Sequence, residues 1–321
     1  MDELTIVNDH ELMNGAAPDL LKAFAEFLKM DVANGAASMD TIRGYKAQVG
    51  QWVKWCLEND VDPATATVND VKAYRAHLVE AGYKSGSISF KLAVLRRFYA
   101  AAVDGGFRQD NPVIGIKAKN NEDPYDFRYL SEKDYIELLK NIRYRNNPEK
   151  ELRDKVIIGM MGLQMLRTVE IERACVEDVE VKGVYITMKV RGKGHGRTIG
   201  LRQDVADLLF QYLEMRGPVQ QDKEGVPLFA ACGNRAGGTR ISRRGIRQVV
   251  DFYLKKADLK RPGVSAHALR HTGATLAYEY TKDIRAVQDA LGHKDPKTTA
   301  RYAHVVDRLR NNPASAIQVQ L

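Results

Sequence analysis

His267-Ala268-Leu269-Arg270-His271, followed by Leu291-Gly292-His293 and then by Tyr302, is the stretch from which the rest of this chain is read. In a helix, His267 and Arg270 stand three residues apart and share a face, so an imidazole and a guanidinium reach one phosphate together. Tyr302, nine residues beyond His293, offers a phenol able to attack such a phosphate.

The chain around this stretch has 321 residues, enough for two domains with cores of their own, and a hydrophobic fraction of 44% excludes a mostly disordered protein. Lys and Arg number 49 against 41 Asp and Glu, a net charge of +8, which suits a polyanionic partner without deciding it. Cys56, Cys175 and Cys232 are an odd, scattered set with no Cys-x-x-Cys pair. Neither a disulfide framework nor a zinc site is expected, and the chain reads as cytoplasmic. Met1-Asp2-Glu3-Leu4 carries acid where an export signal carries base, and the longest apolar stretch, around Val156 to Leu166, is too short and interrupted to span a bilayer. No membrane partner is expected.

From Pro18, the residues Leu20, Leu21, Phe24, Phe27 and Leu28 form an apolar stripe at helical spacing, and Tyr45, Val49, Trp52, Val53 and Cys56 form a second. Thr67 caps a third helix bearing Val71, Tyr74 and Leu78, while Ile88, Leu92, Leu95 and Tyr99 mark a fourth that ends at Gly105-Gly106. These helices predict one bundle over residues 18–110. Lys84, Lys91 and Arg96 give its third-to-fourth helix region a basic face, which either sits on phosphates or is an ordinary solvated surface. Residues 111–125, with Pro112 and Pro124 and no apolar periodicity, read as a linker. A second domain over 126–321 opens with Ser131 capping a helix. A central helix from about Arg153 to Met165 delivers Arg167 at its end, and Val184 to Val190 alternates as a strand. The chain then turns through Arg191-Gly192-Lys193-Gly194 into a returning strand from Thr198 to Leu201, with Lys193 near the hairpin tip.

The runs HALRHTGAT (267–275) and LGHKDPKTTARYAH (291–304) resemble the signature of the tyrosine recombinases, the phage integrase family, and the resemblance covers nearly the whole chain. It implies a mainly α fold with a small antiparallel β-sheet: an all-α, SAM-like core-binding domain, then a mixed α/β catalytic domain, as in the simpler two-domain members. The family's first arginine motif, usually Gly-Leu-Arg with a glutamate shortly after, takes the form Met165-Leu166-Arg167-Thr168-Val169-Glu170. Arg167 then holds the arginine position with Glu170 in support, and Arg173 stays a minor alternative. Gly192-Lys193-Gly194-His195-Gly196-Arg197 is similar to the turn that carries a catalytic lysine, so Lys193 either protonates the leaving 5′-oxygen or touches phosphate. The resemblance pairs Arg270 with Arg167 on the non-bridging phosphate oxygens. His267 would accept the tyrosine proton or hydrogen-bond the phosphate, His271 would be structural, and His293 would hydrogen-bond and pack. Tyr302 would be the nucleophile, activated from a phenol pKa of about 10.

Between the hairpin and His267, Arg240, Arg243, Arg244 and Arg247 belong to a lopsided basic run expected to track the DNA backbone, with Thr239 to Arg247 leading into a helix for the major groove. The resemblance implies a site-specific recombinase acting on duplex recombination sites through a 3′-phosphotyrosine and a Holliday junction, as a tetramer, with no metal and no nucleotide cofactor. A topoisomerase-like enzyme and a catalytically silent DNA-binding regulator are the alternatives; the full residue set argues against silence. The apolar tail after Pro313, with Ala314, Ala316, Ile317, Val319 and Leu321, either folds back on its own domain or docks on a neighbouring protomer, which the resemblance favours.

Overall fold

Apolar residues at helical spacing build α1 (Ala17–Met30), α2 (Met39–Glu58), α3 (Val68–Glu80) and α4 (Ser85–Asp104). The structure is a computed structural model describing residues 17–30, 32, 37, 39–118, 128–144, 146–192, 196–232, 237–293 and 295–310, with the side chains of 17–19 and 308–310 left out. The chain divides into two compact units, Met1–Glu122 and Asp123–Leu321.

In the first unit the core gathers Phe24, Trp52, Tyr74, Phe98 and Tyr99. The Trp52 indole donates to the Tyr99 hydroxyl at 3.0 Å, and that hydroxyl donates to the Pro63 carbonyl at 2.8 Å. Both polar tips are thereby satisfied inside an aromatic core. Thr67 caps α3 as expected, in a box where the Asp70 carboxylate accepts from the Thr67 backbone N–H at 2.7 Å. The start of the expected linker is packed onto this unit instead. Val113 and Ile116 are buried, the Asn111 amide donates to the Arg96 carbonyl at 2.8 Å, and Arg96 donates to the Ile116 carbonyl at 3.0 Å. Two apolar side chains three residues apart anchor the segment, yet are too few to register as a period. Residues 119–127 lie outside the described residues.

The second unit runs α5 (Glu132–Lys140), α6 (Pro148–Gly162), α7 (Thr168–Arg173), β1 (Val179–Lys182), β2 (Tyr185–Arg191), β3 (Gly196–Gly200), α8 (Gln203–Met215), α9 (Arg243–Lys256), α10 (Ala266–Thr281), α11 (Ile284–Leu291) and α12 (Pro296–Arg310). The three strands form one antiparallel sheet in the order β1-β2-β3, with Met188 opposite Ile199 and Val190 opposite Arg197. Mainly helical with a small antiparallel sheet, the fold class is the expected one. Ser131 caps α5 by accepting from the Asp134 N–H at 3.1 Å.

The central helix sits earlier than expected. Asn147 caps α6 by accepting from the Lys150 N–H at 2.8 Å, and Pro148 occupies its first turn. The chain leaves the helix at Gly162 and bends through Met165, whose φ of 55° costs a side-chain-bearing residue about 1 kcal/mol. Arg167 consequently stands at the N-cap of α7 and not at the end of α6. Helix α10 crosses α6 so closely that a Cβ added at Gly273 would overlap the Gly162 carbonyl and come within 2.9 Å of the Met165 side chain. Among the described residues, no helix is long and apolar enough to cross a membrane.

Candidate active site

Three segments distant in sequence deliver arginines to one carboxylate. Glu170, on α7, is wholly buried. Its Oε2 accepts from the Arg167 backbone N–H at 2.7 Å, and its Oε1 accepts from the Arg167 guanidinium at 3.0 Å. Arg197, on β3, donates to the same two oxygens at 2.7 and 3.4 Å. The Arg270 guanidinium, on α10, lies 3.7 Å from Oε2. Burial alone would raise the Glu170 carboxyl, but the Arg197 hydrogen bonds and the arginine charges outweigh it and hold the group below the usual range. One negative charge therefore meets three positive ones.

Arg270 is 1 % exposed and held by main-chain oxygens. It donates to the carbonyl of Met165 and, at 2.7 Å, to that of Leu291. The positive φ of Met165 turns its carbonyl to this use, while the end of α11 supplies the other acceptor. Burial, then the nearby Arg167 charge, brings the Arg270 guanidinium down to about 10. A second nitrogen contact, 3.3 Å to His293 Nε2, fixes a tautomer: Arg270 can only donate, so Nε2 accepts and the proton sits on Nδ1, which faces Thr299 Oγ1 at 2.9 Å. Burial and the Arg270 charge lower His293 to about 4, consistent with this neutral ring. Gly292 places it, as the left-handed C-cap of α11.

Tyr302, on α12, is 1 % exposed, and its hydroxyl lies 2.8 Å from His271 Nδ1. The ring expected to be structural is thus the one that meets the phenol. Burial, with the His267 ring beside it, pushes His271 down to about 3, so the imidazole is neutral and accepts the phenol hydrogen. Burial raises the Tyr302 phenol against the opposing pull of Arg270, Arg301 and Arg167. His267 lies at the surface, its ring edge-on to His271 with centroids 4.4 Å apart. Crowding by the protein and the Arg270 charge lower it as well.

A cavity of about 480 Å³ opens beside this cluster, lined by Arg167, His267 and Arg270 together with Arg243, Arg247 and Asp251. Arg243 and Arg247 of α9 therefore face the same space as the arginine pair. Arg243 also pairs with Glu172 at 2.9 Å, while Arg244 and Arg247 are exposed. Arg240 is not available in this way, because its guanidinium donates to the carbonyls of Glu172 and Ala174 at 2.8 and 2.9 Å and pairs with Asp222. In the first unit, Lys84 is exposed and Arg96 reaches the Ile116 carbonyl. Lys91 points inward, 5 % exposed, donating to Gln48 at 2.8 Å and to Gln51. Arg240 and Lys91 are thus structural cations in place of the expected phosphate contacts. Lys193 lies outside the described residues. Sequence reasoning passed over Arg197 and the two carbonyls that hold Arg270; only the place of Arg197, directly after the Lys193 turn, hinted at a role.

Residues 128–308 match the Phage integrase family, and residues 21–106 match the phage integrase N-terminal SAM-like domain. Tyrosine recombinase XerC of Pelobacter propionicus is 29% identical over 280 residues, covering 85% of this chain and 87% of that relative. The crystal structure of XerH site-specific recombinase bound to palindromic difH substrate, a post-cleavage complex, superposes with a TM-score of 0.70 at 19% identity, covering 98% of this chain and 87% of that one. A lambda integrase tetramer bound to a Holliday junction superposes with a TM-score of 0.65 at 16% identity, covering 89% of this chain and 76% of its counterpart. At such identities the two structures establish likeness of fold.

Proposed function

Because this chain belongs to the phage integrase family, whose tyrosine recombinases cleave and rejoin DNA, we propose that it exchanges strands between duplex recombination sites through a covalent bond to Tyr302. The observation that carries this reading is the gathering of Arg167 and Arg270 on buried Glu170, with His293 against Arg270 and with Tyr302 against His271, whose ring meets that of His267. Two fixed guanidiniums stabilise the charge on a pentacoordinate phosphorus. In the first step the Tyr302 hydroxyl gives its proton to His271 as its oxygen bonds to phosphorus, the bond from phosphorus to the 5′-oxygen breaks, and Lys193 supplies the proton that the leaving oxygen takes. The 5′-hydroxyl of a partner strand then attacks the 3′-phosphotyrosine and releases the phenol. Two such rounds pass through a Holliday junction. His267, at the mouth of the cavity, hydrogen-bonds the phosphate, and His293 steadies Arg270 from behind. A phenol that is 1 % exposed reaches no phosphate, so α12 carries Tyr302 outward for attack.

The helical unit serves as the core-binding domain and the second unit as the catalytic domain. Lys84 and Arg96 in the first, and Arg243, Arg244 and Arg247 in the second, contact the DNA backbone. The XerH complex with its substrate and the lambda integrase tetramer on a Holliday junction support a duplex partner and a four-protomer assembly here too. Such an enzyme works in the cytoplasm, on the nucleoid when bound. Incubated with a duplex nicked near the cleavage position, so that the released fragment diffuses away, the protein should accumulate a covalent DNA adduct. Tyr302→Phe should bind the same duplex and form none; an undiminished adduct in that variant overturns the assignment.

A further inference from the structure

We infer that Arg197 is a positioning residue that occupies the Glu170 carboxylate and so leaves Arg167 and Arg270 with their charge turned to the scissile phosphate. The inference rests on the phosphate-clamp reading of those two arginines. Arg197 is the guanidinium most fully engaged with Glu170, meeting Oε1 at 2.7 Å and Oε2 at 3.4 Å. Arg167 offers one side-chain contact at 3.0 Å, and Arg270 stands off at 3.7 Å. A carboxylate neutralises one cation in full or several in part. With Arg197 as its closest partner, Glu170 orders the other two through its oxygens without taking up their charge.

Two further observations set Arg197 apart from a DNA contact. Its side chain is 18 % exposed against 35 % for Arg167, and it lines a separate cavity with Asp178 and Arg191, whereas Arg167 and Arg270 both line the cavity beside His267. Gly292 also gives it room: a Cβ there would come within 3.1 Å of Arg197 Cδ and Nη1. The glycine beside His293 thus admits the Arg197 side chain into the cluster as well as capping α11. Because Arg197 pairs with Val190 across β3 and β2, one pair short of where the ladder ends at Arg191 and Gly196, it also ties the turn end of the hairpin to the arginine cluster.

The test measures single-turnover adduct formation at saturating DNA, together with DNA affinity. Arg197→Ala should slow cleavage roughly 10- to 100-fold while affinity stays within about 3-fold, because Glu170 then draws on Arg270 and Arg167. Glu170→Gln added to that variant should restore about 5-fold or more of the lost rate, since the amide has no charge to draw with. A structural role for Arg197 predicts no such rescue, and a double variant as slow as Arg197→Ala overturns the inference. If Arg197→Ala does not fold, Arg197→Lys and Arg197→Gln replace it. Lysine should keep the rate within about 10-fold and glutamine should not, and equal rates overturn the inference. Wild-type protein that forms no adduct refutes the phosphate-clamp reading itself, whereas a normal wild-type adduct with an unimpaired Arg197→Ala refutes only the role given to Arg197.

Discussion

Lys91 in the helical unit and Arg270 in the second unit are both cations removed from water, and their surroundings differ in kind. Lys91 is surrounded by neutral partners, the amide oxygens of Gln48 and Gln51 and the face of Tyr83 at 4.8 Å. Burial depresses its ammonium, and no neighbouring charge is needed to explain that. Arg270 has carbonyls to satisfy its hydrogens but like charges around it, with Arg167 and Arg197 sharing the single carboxylate it leans on. A cation solvated by neutral groups is a finished part of a core. A cation among cations keeps an unmet attraction for an anion, and this is the property a phosphate-binding site requires.

The largest expected break in this comparison comes from Arg270→Ala. It should slow adduct formation by roughly 10² or more and leave DNA affinity within a few-fold, as befits a group acting in the transition state. Equal loss of rate and affinity would make Arg270 an anchor instead.

Acid should act next, through the second unit. His271 and His293 are held at about 3 and about 4, against an ordinary value of 6.5. Both folded values are depressed, so between about pH 6.5 and pH 4 the unfolded chain binds protons that the folded chain refuses. Stability should be full above about pH 6.5 and fall as the pH drops through that window. Thermal unfolding followed at pH 7, 6 and 5 reads this directly; a midpoint that does not move would mean the rings are solvated. DNA should oppose the loss, because a bound phosphate favours protonated imidazole.

Lys91→Met should do least. An apolar side chain of similar length in place of a buried cation should leave stability within about 2 kcal/mol and the salt dependence of DNA binding unchanged. A phosphate-contacting lysine would instead lower the slope of log affinity against log salt by about one.

Cations that look alike in the chain divide in this way only once they are folded, and this marks how far the sequence could be read. Local chemistry was legible: Thr67 and Ser131 cap the helices that follow them, and the β2–β3 hairpin follows from alternation around a glycine turn. The start of α6 was missed because its signal, Asn147-Pro148, lies ahead of the apolar run that drew attention. Nothing in a methionine announces a left-handed backbone, so the bend at Met165 and the resulting place of Arg167 were hidden. The motifs brought together Arg270, His293 and Tyr302 because each falls in a recognisable run. Arg197 reaches the same cluster across 27 residues from Glu170, a proximity created by sheet and helix packing and by no spacing rule. The inward turn of Lys91 and Arg240 was invisible for the converse reason, since a basic residue carries no mark of the side it faces.

Gly273 rests against Gly162 with no side chain between the two helices. A contact of backbone on backbone has no rotamers to adjust, so α6 and α10 cannot slide without parting. The loop after α6 carries Met165 and Arg167, and α10 carries Arg270; the separation of the two guanidiniums is therefore set when the chain folds. The reorganisation that a solvent would undergo around a forming phosphorane has already been met during folding. On the proposed mechanism, the charged cradle toward which α12 would bring Tyr302 stays still, and the same cradle would serve cleavage and rejoining without being rebuilt between them.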